Sequence, residues 1–509
     1  NWSGTGITET SATLPTQLFI RGNNKIEFKV LEPRLEDLAP KKDKKTDPNA
    51  PPPLKVDMVM LDWFDLEFKQ NSEIQDNFNE LIFDDPQDLA GARAFSVRNF
   101  SSPRVLLFDL AARECLQPKS FPQVPGSRLY AVNLERRARP TTLVAATDAM
   151  AFTPPEMRQV TIQNLFGEKT DCDMLMLSHP LFLDSLKPFI QWKESHGIKT
   201  HLVSITDLFN EKTGGYASPY PMRDYIRYIY NRQRRALKYV LLVGDSATIS
   251  KYQSFCPAYA YLQSGTHAND NFYANFNDPL GPPILSVGRF SVRTPEQVAN
   301  ITRKVVGYES GQFSGPWRSQ FLIIAAAYQW AKDDARSFIK KYVQPDYLAS
   351  FIRTDYWNED PEFHKKLTQR LVDEFNAGRG VTVFFGHGGG TVWEVGPSIR
   401  KDTFRVHLFD QSNVQSLTNV TKPGVVFAMT CYTNDFDNPY TRQTVGEMFV
   451  NSPGGAVASF GATGRSSIAL NAALVNQIFA LRTKMKDARL GDLIAEAKRT
   501  ANNFKDPGS

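Results

Sequence analysis

Val381-Thr-Val-Phe-Phe-Gly-His-Gly-Gly-Gly-Thr-Val-Trp393 and Val425-Val-Phe-Ala-Met-Thr-Cys-Tyr432 are the two stretches that decide the fold of this chain. Each begins as an apolar run and stops abruptly, the first at His387 and the second at Cys431. If the runs are neighbouring parallel strands, both side chains emerge at the carboxyl edge of one sheet, where open α/β sheets hold their functional groups. A thiol beside an imidazole predicts a nucleophile and its proton-transfer partner.

Strand and helix signals alternate around these two runs from residue 173 to residue 503. The apolar runs that predict strands include Met174–Leu177, Tyr239–Val243 and Phe321–Ile324. The signals for helix starts include Ser218-Pro219 and Thr294-Pro-Glu-Gln297. Such alternation is typical of an α/β fold with a mostly parallel, doubly wound sheet. We expect two halves, residues 173–310 and 317–503, with His387 and Cys431 in the second.

The first third of the chain has a different pattern of apolar residues. Residues 1–165 alternate short apolar runs with turn signals, for example at Arg104–Asp109 and Leu129–Leu134, which predicts an all-β sandwich or barrel. Earlier runs at Gln17–Ile20, Lys25–Val30 and Lys55–Met60 have the same character. Residues 32–56 are rich in lysine and proline and cannot bury a core, so we expect an exposed loop there.

Size and composition limit the function classes. A chain of 509 residues is too long for one core and predicts two to four domains. Its net charge of +5 is small and dispersed, which gives no argument for nucleic acid. The sequence contains no run of about 18 apolar residues, so no membrane span is expected. It opens without an initiator Met, which suggests a mature or excised fragment.

The four cysteines stand far apart and form no C-x-x-C pair, so a structural zinc site is not expected. We expect Cys115, Cys172 and Cys256 to be buried free thiols.

The glycines around His387 suggest how a site is built. Glycine permits positive φ and lets a backbone approach a substrate closely. The main-chain N–H groups of Gly388 and Cys431 could then face one point, as the donors that a tetrahedral oxyanion needs. The rival interpretation is a phosphate-binding loop, but the stretch lacks the G-x-x-x-x-G-K-[ST] pattern.

The order of motifs resembles the gingipain family, peptidase family C25, among the clan CD cysteine peptidases. The stretches that carry the resemblance are Asp173–Pro180, Lys238–Asp245, Val287-Gly-Arg-Phe290, Phe385-Gly-His-Gly388 and Ala428-Met-Thr-Cys431. The likeness spans about residues 173–480. It implies a caspase-like fold and peptide-bond cleavage in which Cys431 attacks as thiolate and His387 gives a proton to the leaving amine, with no cofactor required.

The resemblance also implies supporting residues. Asp270 lies where arginine-specific members place the acid that binds a basic side chain, and Trp393 is assigned a substrate contact. Asp245, at the end of its strand, is assigned a supporting role. The stretch Gly461–Ser466 lacks the aromatic residue that walls the pocket of arginine-specific members. No metal ligand is assigned; Asp435, Asp437 and Asn438 are either solvated turn residues or ligands of a structural calcium ion of the kind that the family holds.

Three functions stay open at this stage. The first is a cysteine endopeptidase acting on protein or peptide substrates. The second, implied by the family's type IX secretion sortase branch, is a transpeptidase that processes C-terminal signals and meets secretion-system components. The third is an inactive peptidase-like scaffold whose β domain binds a partner. The resemblance implies a bacterial protein that is secreted, periplasmic or at the cell surface.

Overall fold

The protein is described by a computed structural model. The described residues are 80–84, 94–110, 112, 114–126, 128–135, 142–147, 159–167, 170–233, 237–246, 254–261, 267–354, 361–395, 407–438, 441 and 443–500. The chain divides near residue 160 into two compact units, one of residues 12–159 and one that continues from residue 160. The predicted strands before residue 80 and the predicted loop at residues 32–56 lie outside the described residues.

The first unit is built from short antiparallel strands. They are β1 (Glu80–Asp84), β2 (Ala94–Phe100), β3 (Val105–Asp109), β4 (Glu114–Leu116), β5 (Ser120–Pro122), β6 (Tyr130–Glu135) and β7 (Thr142–Thr147). They form one sheet in the order β1-β7-β3-β4 and another in the order β2-β6-β5. Because Leu107 and Leu143 of one sheet share an apolar cluster with Val97 and Val132 of the other, the predicted β-rich region is confirmed as two packed sheets.

The second unit begins with a four-stranded parallel sheet. Its strands are β8 (Met174–Ser178), β9 (Thr200–Ser204), β10 (Tyr239–Val243) and β13 (Ser286–Phe290), in the order β13-β10-β8-β9. A small antiparallel pair, β11 (Ala260–Tyr261) and β12 (His267–Ala268), lies in the loop before β13. Apolar clusters cover both faces of the four-stranded sheet, as expected for a buried parallel sheet.

A second parallel sheet has five strands. They are β14 (Gln320–Ala325), β15 (Leu348–Arg353), β16 (Val381–Phe385), β20 (Gly424–Met429) and β21 (Ala456–Gly461), in the order β15-β14-β16-β20-β21. Its two faces are covered by separate apolar clusters. The predicted doubly wound parallel architecture is therefore confirmed, as one sheet in each half.

A third sheet is antiparallel and lies where β16 ends. Its strands are β17 (Gly388–Gly389), β18 (Val392–Glu394) and β19 (His407–Asp410), in the order β17-β18-β19. The first two form a tight hairpin directly after His387.

Eleven helices follow in the described part of the chain. They are α1 (Lys187–Ser195), α2 (Ile205–Thr213), α3 (Pro219–Arg232), α4 (Asn271–Ala274), α5 (Pro295–Glu309), α6 (Gln329–Phe338), α7 (Pro361–Ala377), α8 (Gln411–Gln415), α9 (Val445–Asn451), α10 (Ile468–Lys484) and α11 (Leu490–Thr500). The predicted caps are confirmed, since the Ser218 hydroxyl accepts the N–H of Tyr220 and Thr294 forms a capping box with Gln297. None of the helices among the described residues is long and apolar enough to cross a membrane.

A buried lysine joins the two α/β halves. Lys304 of α5 is fully buried, and its Nζ donates to the carbonyl oxygens of Phe449 at 3.1 Å, Ser452 at 2.8 Å and Gly454 at 3.0 Å. Burial lowers the pKa of Lys304 well below its usual value. Three carbonyl acceptors at the end of α9 compensate the buried ammonium group, because carbonyl dipoles at a helix C-terminus attract a cation. The lysine therefore fixes α9 against α5.

We predict that Lys304→Met lowers the free energy of unfolding by about 3 kcal/mol, because three buried carbonyl groups lose their donor. Chemical denaturation measures the change. Lys484→Met, at the exposed end of α10, is the matched control and should leave stability nearly unchanged. Equal stability of the two variants would contradict the role of Lys304.

Candidate active site

The pairing of β16 with β20 sets the site. The strands run parallel with Phe385 opposite Met429. His387 and Cys431 each follow two residues later, so they occupy equivalent positions at the carboxyl edge of the five-stranded sheet. The segments that follow β16 and β20 stay in contact beyond the strands. A Cβ placed on Gly388 would lie only 3.0 Å from the Thr430 hydroxyl oxygen. Neighbouring parallel strands are about 5 Å apart, so the backbones that carry the two residues leave the sheet side by side.

The glycines around His387 serve a different purpose from the one predicted. None of the residues from Gly386 to Gly390 has a positive φ, so they do not supply a left-handed turn. Instead the loop is crowded. A Cβ on Gly386 would lie 2.8 Å from that of Ala326, and one on Gly388 would lie 2.9 Å from the Val392 carbonyl oxygen. Because these glycines have no side chain, the hairpin can close onto β20 as a packed turn.

The hairpin determines where the Gly388 N–H points. The N–H of Glu394 donates to the carbonyl of His387 at 2.9 Å, and Gly388 lies opposite Trp393. In an antiparallel ladder this makes Gly388 and Trp393 a non-hydrogen-bonded pair. The N–H of Gly388 is therefore directed away from β18, an orientation that is compatible with its predicted role as an oxyanion donor.

The chain turns sharply after Cys431. Tyr432 has a φ of 56°, which is uncommon for a residue with a side chain, and its N–H donates to the carbonyl of Gly464 at 3.0 Å. Strained conformations of this kind collect at functional sites. The turn leaves Cys431 partly exposed, whereas Cys172 and Cys256 are buried. All four cysteines are free, and Cys115 is exposed, so its predicted burial is wrong because β4 is exposed along its length.

Two aromatic residues flank His387. The ring centroid of Tyr328 lies 4.7 Å from the imidazole centroid and that of Trp330 lies 5.7 Å away, both in edge-on geometry. They follow the end of β14, the strand on the other side of β16. These contacts restrict rotation of the imidazole ring. The sequence interpretation missed both residues, although their place after a strand that adjoins β16 was a usable signal.

The first turn of α9 ties the two loops together. The N–H of Val445 donates to the carbonyl of Gly390 in the histidine hairpin at 2.7 Å. The N–H of Gly446 donates to the carbonyl of Thr433 in the cysteine loop at 2.9 Å. One helix start therefore holds both segments that carry the candidate dyad.

Glu447 organises this helix start. Its carboxylate accepts the N–H of Thr444 at 2.7 Å and the hydroxyl of Ser291 at 2.5 Å. Burial, followed by the charge of Asp245, raises the pKa of Glu447 to about 8. Because Ser291 follows β13, Glu447 connects the first α/β half to the loops of the second.

Asp245 follows β10 and is fully buried. Its carboxylate accepts Arg293 Nη1 at 2.6 Å, and its carbonyl accepts the N–H groups of Phe255 and Cys256. It thus orders the loops at the carboxyl edge of the first sheet. A role in supporting the candidate dyad stays a prediction.

Trp393 does not offer a surface to a substrate, which corrects the sequence interpretation. Its side chain is fully buried, its ring stacks on Phe384 with centroids 4.6 Å apart, and its Nε1 donates to the Thr433 hydroxyl at 3.2 Å. The hairpin turns the indole into the core, where it packs under the site.

Asp270 is also not a free pocket carboxylate. It forms two hydrogen bonds of 2.8 Å with Arg289, through Nε and Nη2. The Arg289 side chain is 5% exposed, and its Nη1 donates to the carbonyls of Gly244 and Cys256. The guanidinium group therefore neutralises the carboxylate that was expected to bind a basic substrate side chain.

The acidic residues after Cys431 form a pair of carboxyl groups. Burial, with Asp437 next to it, raises the pKa of Asp435 to about 8, and burial also raises the pKa of Asp437. Asn438 donates to Asp435 at 2.8 Å. No group of three His, Cys, Asp or Glu residues suited to a metal ion occurs in the part of the chain that the structure describes. Structural calcium stays a prediction.

Comparisons with known proteins identify the family of this chain. A family model described as Peptidase family C25 matches residues 167–508. Gingipain R2 of Porphyromonas gingivalis is 23% identical over 300 residues, which are 57% of this chain and 34% of that protein. Lys-gingipain W83 of Porphyromonas gingivalis is 25% identical over 303 residues, which are 58% of this chain and 16% of that protein. The matched part is thus about a third or less of the length of these relatives.

Two solved structures share the fold. A complex of the pro- and mature domains of RgpB from Porphyromonas gingivalis aligns with a TM-score of 0.51 and 19% identity, covering 64% of this chain and 72% of that chain. The Arg-specific cysteine proteinase gingipain R aligns with a TM-score of 0.51 and 18% identity, covering 68% of this chain and 76% of that chain. At these identities the likeness concerns the fold alone, and it confirms the predicted fold class.

We predict that Glu447→Gln flattens the dependence of stability on pH. A carboxyl group with a raised pKa binds more protons in the folded than in the unfolded protein, so its contribution is present at low pH and is lost as pH rises toward about 8. A glutamine does not titrate. The slope of unfolding free energy between about pH 5 and pH 8 should become shallower by up to about 1.4 kcal/mol per pH unit, the limit for one proton.

Urea unfolding at several pH values measures this slope. Glu296→Gln, at an exposed position in the first turn of α5, is the control and should keep the wild-type slope. Parallel curves for wild type and Glu447→Gln would show that the buried carboxyl group does not titrate abnormally.

We predict that Asp270→Asn lowers the free energy of unfolding by about 3 kcal/mol, because a buried guanidinium group loses its charged partner. Denaturant titration measures the loss. In the control variant Asp184→Asn, an exposed ion pair with Lys187 is removed and no measurable change is expected. If Asp270→Asn is as stable as wild type, the carboxylate is free to serve another purpose.

Proposed function

The chain belongs to peptidase family C25, and from this premise we propose that it is a cysteine endopeptidase in which Cys431 is the nucleophile and His387 the proton carrier. The observation that carries the proposal is the register of β16 and β20, with Phe385 opposite Met429. It supports the proposal because two reactive side chains follow at equivalent positions of adjacent strands, and an active site at the carboxyl edge is the rule for such sheets.

The proposed reaction has two stages. His387 takes the proton of Cys431, and the thiolate sulfur attacks the carbonyl carbon of the scissile peptide bond. The N–H groups of Gly388 and Cys431 stabilise the oxyanion of the tetrahedral intermediate. The C–N bond breaks as His387 gives its proton to the leaving amine, which leaves a thioester on Cys431. Water then attacks the thioester, with His387 as base, and the free thiol returns.

The substrates in this proposal are proteins or peptides, and their side-chain preference is not set by Asp270. The ion pair with Arg289 occupies that carboxylate, so it supplies no unpaired charge for an arginine or lysine side chain. Action outside the bacterial cytoplasm, and partners in a secretion system, remain proposals that come from the family alone.

We predict that Cys431→Ala abolishes cleavage of a peptide library and that His387→Ala lowers it at least a hundredfold, since general acid–base catalysis contributes roughly that much. Mass spectrometry of the products measures both. Cys115→Ala, which removes an exposed thiol in the first unit, is the matched control and should retain wild-type rates. Cleavage that persists in Cys431→Ala would refute the proposal.

The same assay separates hydrolysis from transpeptidation, because both reactions pass through the thioester. With a high concentration of an added amine, an endopeptidase gives mainly the free carboxylate product. Products joined to the amine as the major species would identify a transpeptidase. A folded wild-type protein that cuts no peptide would favour the inactive scaffold.

A further inference from the structure

The sulfur of Cys431 forms hydrogen bonds with Ser466. The main-chain N–H of Ser466 donates to Sγ at 3.4 Å, and the Ser466 hydroxyl donates to it at 3.8 Å. In the thiol form Sγ donates to the Ser466 carbonyl at 3.6 Å. Ser466 lies in the loop after β21, the strand next to β20, so the sheet itself brings this residue to the nucleophile.

The Ser466 hydroxyl is held in a defined orientation. Asn471, in the first turn of α10, donates from Nδ2 to Ser466 Oγ at 2.7 Å. Asn471 is 7% exposed. Its position is fixed because its main-chain N–H donates to the carbonyl of Ser467 at 2.9 Å. Since the amide donates to the hydroxyl oxygen, the hydroxyl proton is left to point at the sulfur.

The surroundings of Ser466 favour negative charge. Ser466 immediately precedes Ser467, the N-cap of α10, whose hydroxyl accepts the N–H of Leu470. A helix start carries partial positive charge, and thiolates are stabilised at such positions. The effect adds to the two direct donors and acts in the same direction.

We propose that Ser466, oriented by Asn471, is a further catalytic residue, which stabilises the thiolate of Cys431 through its main-chain N–H and its hydroxyl. The inference rests on the proposed function of Cys431 as nucleophile. When the thiol proton passes to His387, the contact with the Ser466 carbonyl is lost and the two donors remain on the sulfur. The same donors act again when the thioester is hydrolysed and the sulfur departs as thiolate, so one residue serves both stages.

Alkylation of Cys431 by iodoacetamide tests the inference without any substrate. The rate is followed against pH by mass spectrometry of the peptide that contains Cys431, in the full chain. In Ser466→Ala the midpoint of the rate profile should move up by about half to one pH unit, so that alkylation at pH 6 slows roughly three- to tenfold. Asn471→Leu should give a smaller shift in the same direction, because the hydroxyl is kept but no longer oriented.

Two further variants separate chemistry from structure. Ser466→Thr keeps the hydroxyl and should restore the wild-type profile to within about twofold. Ser467→Ala removes the neighbouring hydroxyl that caps α10, and it should lower the melting temperature without moving the profile. A wild-type profile in folded Ser466→Ala, or an equal shift in Ser467→Ala, would overturn the inference.

The alkylation assay and the cleavage assay test the two proposals separately. If the Ser466→Ala profile shifts but the wild-type protein cuts no peptide, the thiolate contact stands and the endopeptidase proposal is refuted. If the protein cuts peptides and Ser466→Ala alkylates like wild type, only the role of Ser466 is refuted.

Discussion

The parallel pairing of β16 with β20 is the constraint on which the rest of the site depends. A parallel ladder fixes its register along its whole length, because a shift of one residue would turn every buried side chain of the strand to the other face. Because Phe385 lies opposite Met429, His387 and Cys431 leave the sheet at equivalent positions along the two strands. The crowded glycine hairpin then closes on Thr430 and limits how far the two residues can separate.

Strand pairing alone would leave two loops at a sheet edge, and α9 turns them into one unit. Its first two N–H groups bond to the carbonyls of Gly390 and Thr433, one in each loop. The helix is in turn held from the first half, by the Ser291 hydroxyl on Glu447 at its start and by Lys304 at its end. The candidate dyad therefore lies wholly in the second half, whereas its position depends on buried polar contacts with the first.

Secondary structure could be predicted from the sequence because local rules determine it. The tertiary contacts of individual side chains could not. Alternating strands and helices, the caps at Ser218 and Thr294, and the ends of β16 and β20 follow from periodicity and backbone chemistry. Trp393 could not be placed in the same way, because which face of a three-residue strand is buried depends on the hairpin register. Its hydrophobicity was compatible with a pocket wall and with a core residue.

The pairing of Asp270 with Arg289 and the contact of Ser466 with Cys431 were beyond sequence reasoning for a related reason. The members of the two pairs are 19 and 35 residues apart along the chain, and nothing in their spacing indicates that they meet. Asp270 matched the family pattern by position, yet a neighbouring guanidinium group decides whether its charge is available. Tyr328 and Trp330 belong to the same class of contacts, since they reach His387 only through the order of strands in the sheet.

Covalent capture of the nucleophile tests the central claim most directly. A peptide electrophile, such as a peptidyl vinyl sulfone library, is incubated with wild type and with His387→Ala, and the labelled residue is identified by peptide mapping. The register of β16 and β20 predicts a label on Cys431 that forms slowly or not at all in His387→Ala, while the more exposed Cys115 stays unlabelled. A label on Cys115, or equal labelling of Cys431 with and without the imidazole, would contradict a thiol and imidazole acting together at this edge of the sheet.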